Sequence, residues 1–70
     1  MPTQKFDNRF GMVAIKKGFI TSEQLNEALK IQVEEELESG NRRLTGQILQ
    51  EKEYITNRQI DEVLMEMGLL

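Results

Sequence analysis

Apolar positions recur at helical spacing in four short runs along this chain, and the runs come in two matched pairs. Phe10, Val13 and Ala14 form the first run. Leu25, Ala28 and Leu29 form the second, with Gln32 continuing the same face. Leu44, Ile48 and Leu49 form the third, and Ile60, Val63, Leu64 and Met67 the fourth. Spacings of three and four place each run on one face of a helix. The strings Thr21-Ser22-Glu23-Gln24-Leu25 and Thr56-Asn57-Arg58-Gln59-Ile60 are one local code repeated at an offset of 35 residues. The same offset lays Gly11 on Gly46, Val13 on Ile48, Phe19 on Tyr54, Ile20 on Ile55, Ala28 on Val63 and Leu29 on Leu64. A period of this size suits a helix-turn-helix unit copied in tandem. One such unit cannot bury its own apolar face, so the two copies must pack on each other.

Local signals set the expected boundaries. Residues 1–6 read as a short arm, with Asp7 or Asn8 capping a first helix and Phe6 stapled onto it. Lys16 and Lys17 oppose the negative end of the helix dipole, and Gly18 takes the left-handed conformation that stops the helix. Thr21 with Gln24, and Thr56 with Gln59, have the spacing of capping boxes for the second and fourth helices. Gly40 ends the second helix near Ser39, and Asn41 caps the third, whose start then carries Arg42 and Arg43. Gly68 stops the fourth and lets Leu69 and Leu70 fold back. The predicted fold is all-α: four short helices in two tandem hairpins on one core, repeat 1 spanning about 7–40 and repeat 2 about 41–70, with Leu25, Leu29, Ile60 and Leu64 meeting in that core.

Composition narrows the function. The 70 residues include no Cys and no His. Disulfide staples are therefore absent, as are the usual zinc ligands and the thiol and serine-histidine nucleophiles, which makes catalysis improbable. The net charge of −3 argues against a general nucleic-acid binder, whose affinity rests on neutralised phosphates. Asp61, Glu62 and Glu66 would repel DNA from the fourth helix. The charge is polarised: Lys5, Arg9, Lys16, Lys17 and Lys30 make the first thirty residues basic, and Glu34-Glu35-Glu36 and Glu38 open an acidic remainder. No run approaches membrane-spanning length and no export signal is present, so insertion is not expected and the cytoplasm is the expected location.

The repeat fails at chosen places. Gln32 stands in the apolar stripe where copy two has Met67, and an amide there needs a partner from a neighbouring helix terminus, ordered water or a ligand edge. Glu53 answers Gly18, so the second turn must either change shape or carry left-handed strain on a residue with a Cβ. Arg9 is answered by Leu44, with Arg43 one residue away. Arg42 and Arg43, at a helix start where anions are favoured, suit either the nearby Glu34–Glu38 cluster or an acidic partner.

Arg9-Phe10-Gly11, Gly18, Leu25, Ala28-Leu29 and Gln32 together resemble the repeated motif of the N-terminal domain of type II secretion and type IV pilus assembly ATPases. The match covers residues 9–32 well and 44–67 in part. That resemblance implies a small helical module, and in the branch with two intact motifs it implies binding of cyclic di-GMP, a bacterial second messenger. The nucleotide-contacting candidates it implies are Arg9, Gly11, Leu25, Leu29 and Gln32, with Arg43 as the displaced arginine of copy two. In copy two Thr45, Glu53 and Met67 depart from the motif, which removes most polar contacts from one half of a symmetric site. The leading expectation is a non-enzymatic protein-interaction or adaptor module, free-standing or part of a longer chain, with a protein partner and no cofactor. The alternative is a cyclic di-GMP sensor in which arginines meet phosphates and Gln32 meets a base edge.

Overall fold

The computed structural model describes residues 2–70, with side chains from Lys5 onward. The described residues form four helices and no strand: α1 (Pro2–Lys16), α2 (Ser22–Ser39), α3 (Thr45–Glu51) and α4 (Asn57–Glu66). The chain is all-α on one core, as the periodicity predicts.

The repeated code acts at both helix starts that its spacing predicts. Thr21 Oγ1 accepts from the Gln24 amide at 3.1 Å while Gln24 Oε1 accepts from the Thr21 amide at 2.9 Å. Thr56 and Gln59 make the same reciprocal pair at 3.1 and 3.0 Å. Each pair satisfies amides that a helix start leaves without intrahelical acceptors. Three helix ends also share one geometry. Gly18, Glu53 and Gly68 have φ of 78°, 63° and 78°. The next amide then reaches back over the last turn, from Phe19 to Ala14 O, Tyr54 to Leu49 O and Leu69 to Leu64 O, at 2.9–3.0 Å. Glu53 therefore keeps the shape of the glycine turn and carries the left-handed strain, of order 1 kcal/mol.

Two boundaries differ from expectation. α1 begins at Pro2, not at Asp7 or Asn8. Proline suits a first helical position because its missing amide hydrogen would have had no intrahelical acceptor. Of the expected arm, Met1 lies outside the described residues. α3 begins at Thr45 behind Leu44, not behind Asn41, and no Leu44 side-chain atom caps it. Its orphan amides are met in other ways. Gln47 Oε1 turns back to the Leu44 amide at 3.0 Å, and Asp7 Oδ1, from α1, accepts from the Thr45 amide at 3.2 Å. Asp7 thus caps a helix after all, though a distant one.

The main helix contacts run between the copies: α2 on α3, and α1 on both α3 and α4. The buried core is Phe10, Ala14, Ile20, Leu25, Ala28, Ile48, Leu49, Ile55 and Val63. Two of the three repeat-related pairs in it are unequal in size, Ala14 against Leu49 and Ala28 against Val63, while Ile20 and Ile55 are alike. Unequal pairs let two similar units interdigitate at interior density where equal pairs would collide or leave gaps. Leu29, Ile60 and Leu64 pack on this core but stay half-buried.

Candidate functional site

The nucleotide-contacting candidates fall in three separate places. Gly11 lies beneath Leu25; a Cβ built on it would stand 2.6 Å from both Leu25 δ-carbons. Leu25 is buried in the core, and Leu29 is half-buried against it. This part of the candidate set is packing, where α1 crosses α2.

Gln32 is fully buried and sits in a polar node. Its Nε2 donates to Asp7 Oδ2 at 2.7 Å and to the Arg43 carbonyl at 2.6 Å. Arg42 Nη2 reaches Gln32 Oε1 at 3.4 Å and lies 3.9 Å from Asp7 Oδ2. The amide's partners are thus the Asp7 carboxylate of α1 and the chain entering α3, a neighbouring helix terminus. Arg43 turns its side chain outward, donating through Nε and Nη2 to the two Glu35 carboxylate oxygens at 2.9 and 2.7 Å and through Nη1 to Glu51 at 2.5 Å. These bonds hold the guanidinium firmly charged and keep the Glu51 carboxyl below its usual range. Arg42 likewise pairs with Glu36 at 2.5 Å. Both arginines of the α2–α3 connection are matched by the acidic end of α2, within the fold.

Arg9 is exposed on α1, beside Val13, Lys16 and Lys17 and across from Glu66 of α4 and Met67, which follows it. The structure brings Gly11 to Leu25, and Gln32 to the backbone of Arg43. Arg9 stands on another face.

The copy-two equivalents of the motif do share a concavity. Leu44, Gly46, Ile60 and Leu64, which repeat Arg9, Gly11, Leu25 and Leu29, line a groove of about 230 Å³ with Phe6 and Phe10 of α1. Its polar lining is three amide side chains, Gln47, Gln50 and Asn57, and among the described residues no charged side chain borders it. Gln50 and Asn57 hydrogen-bond each other. The groove exists because Ile60 lies further from its glycine than Leu25 does. A Cβ on Gly46 would meet Phe10 Cζ at 3.1 Å instead of an α4 side chain. Sequence reasoning placed Phe6 as a staple and Phe10 in the core, but could not see them walling a groove. The one available signal was leucine at position 44, an apolar residue where the motif has arginine.

Among the described residues no group of three or more carboxylates could hold a metal ion, and no helix is long and apolar enough to cross a membrane. Comparison with protein-family models, curated proteins and solved structures finds no match for this chain.

Proposed function

We propose that this domain is a non-enzymatic protein-interaction module whose docking face is the apolar groove between α1, α3 and α4. The observation that carries the reading is the groove's lining: Phe6, Phe10, Leu44, Ile60 and Leu64, edged among the described residues by uncharged amides. A small, preformed apolar slot with a polar rim is the form taken by the energetic centre of many interfaces, where one or two partner side chains supply most of the affinity. The groove's volume admits about that many. Arg43, the displaced arginine of copy two, supports the same reading, because it and Arg42 are paired internally.

A second reading, a cyclic di-GMP sensor, draws on the motif resemblance and on the gathering of the copy-two motif positions in this one groove. Under it the phenylalanines would flank a base and the amides would read its edge. Arg9 would have to meet phosphate from a different face.

One substitution separates the two. Leu44→Arg places a cation at the groove mouth, where copy one has arginine. An interaction module should then lose its protein partner in affinity capture from its native host, while neither protein gives saturable heat with cyclic di-GMP in calorimetry. A nucleotide sensor should bind cyclic di-GMP one-to-one, more tightly in Leu44→Arg and not at all in Arg9→Ala.

A further inference from the structure

The ion pairs sort the surface charges into those used within the fold and those left over. Glu27, Glu35, Glu36, Glu51 and Glu66 all have cationic partners. Lys5, Arg9 and Lys16, at helical spacing along the outer side of α1, have none among the described residues. Within that basic stripe stands Met12, 64% exposed. Glu34 and Glu38 on the last two turns of α2 are also unpaired. Beside them Val33 and Leu37 are 48% and 81% exposed, four residues apart on one face. Leu37 is the most exposed large apolar side chain described. α1 and the end of α2 thus bear outward faces of like construction and opposite sign, each with apolar side chains among unpaired charges. α4 carries a second acidic face, Asp61 and Glu62, but with Met65 alone beside it where α2 sets Val33 and Leu37 together.

We infer that the occupant of each face is the other face of a second copy: the basic α1 stripe of one molecule docks on the acidic end of α2 of the next. Complementary signs steer and orient such an encounter, and Met12 against Val33 and Leu37 supplies the apolar contact. Because the two faces differ, the contact is heterologous. It leaves one face free at each end, so it adds further copies and does not stop at a dimer unless a ring closes. Each face is a single helix stripe, so the interface lies at the small end of the range and association is weak and transient. This contact does not use the groove.

The test is sedimentation velocity on the intact chain from about 50 μM to 1 mM, at about 20 mM and 500 mM NaCl, since added salt shortens the Debye length from roughly 20 Å to under 5 Å. The expected result is a weight-average mass that climbs with concentration at low salt and returns to the monomer at high salt. Lys5→Glu/Lys16→Glu and Glu34→Lys/Glu38→Lys should each be monomeric alone and should associate when mixed, because the mixture restores opposite signs across both contacts. Circular dichroism melts establish that each variant is folded. Reversing α4 with Asp61→Lys/Glu62→Lys should leave association intact. A wild type that stays monomeric throughout overturns the inference. So does association that survives both reversals, that is lost with the α4 reversal, or that fails to return in the mixture.

Discussion

Asp7 and Arg42 occupy the same position in the two copies of the repeat and pair with each other, Arg42 Nη2 lying 3.9 Å from Asp7 Oδ2. Opposite charges at one repeat position bind copy to copy, and like residues there would not. The Asp7 side chain is fully buried and also accepts from Gln32 and from the Thr45 amide. Three elements therefore meet at one carboxylate. Asp7→Ala should cost about 3–5 kcal/mol, because it leaves buried donors and a partly buried cation without their acceptor. A domain this small has little more than that in total, so the variant should be largely unfolded at room temperature.

Gln32→Met tests the same node from α2. On sequence grounds alone methionine would fill the apolar stripe as Met67 does. With Gln32 donating to Asp7 and to the Arg43 carbonyl, the substitution instead strands two acceptors and should destabilise by about 1–3 kcal/mol. A urea midpoint equal to wild type would mean that the node is not formed in solution.

What was legible in the chain was what is local. The capping boxes at Thr21 and Thr56 and the stops at Gly18, Gly40 and Gly68 involve groups within a few residues of one another, so residue type at fixed spacing specifies them. Asp7 shows where that logic ends. An acid before an apolar run reads as the cap of its own helix, yet the amide it caps lies 38 positions later. The groove is of the same kind. Phe6 and Phe10 belong to a helix that becomes a wall only by crossing α3 and α4, and nothing at those positions marks the crossing.

Glu53 holds φ at 63° in a turn where its repeat counterpart is Gly18. It is exposed, and its side chain makes no hydrogen bond or ion pair among the described residues that would offset the strain. Glu53→Gly should therefore stabilise by about 0.5–1 kcal/mol, the relief of the left-handed cost less the added flexibility of glycine when unfolded. A melting temperature unchanged or lowered would refute that balance.

The two repeated glycines should respond differently to the same change. Alanine at either would gain about 1 kcal/mol of helix propensity. At Gly11 the new methyl would stand 2.6 Å from both Leu25 δ-carbons, and Leu25 is itself buried in the core. Overpacking of that kind costs about 1–3 kcal/mol, so Gly11→Ala should be net destabilising. At Gly46 the nearest atom is Phe10 Cζ at 3.1 Å, beside the open groove. There the ring can give by a few tenths of an ångström, and Gly46→Ala should be near neutral. Equal unfolding midpoints for the two variants would contradict the asymmetry between the copies.

Tyr54 joins copy two to copy one by donating to Glu27 Oε1 at 2.9 Å, and Lys52 Nζ lies 3.2 Å from Glu27 Oε2. The phenol bond first, then Lys52, holds the Glu27 carboxyl below its usual range, and the same bond pushes the Tyr54 phenol up. Arg43 similarly lowers Glu51. For a depressed carboxyl the unfolded chain binds more protons than the folded one between the two pKa values. That stability is present above the ordinary value, about 4.3, and is lost as pH falls through the folded value. For Tyr54 the sign reverses: its contribution is present below the ordinary phenol value, about 10, and is lost as pH rises through the raised one. The melting temperature should thus be highest between about pH 6 and 9 and fall on both sides, modestly, because these groups are at least partly exposed to solvent and screened by salt. Tyr54→Phe removes the donor that contributes most to lowering Glu27, and its acid limb should be shallower than that of wild type. Superimposable acid limbs for the two proteins would show that the bond between the copies does not form in solution.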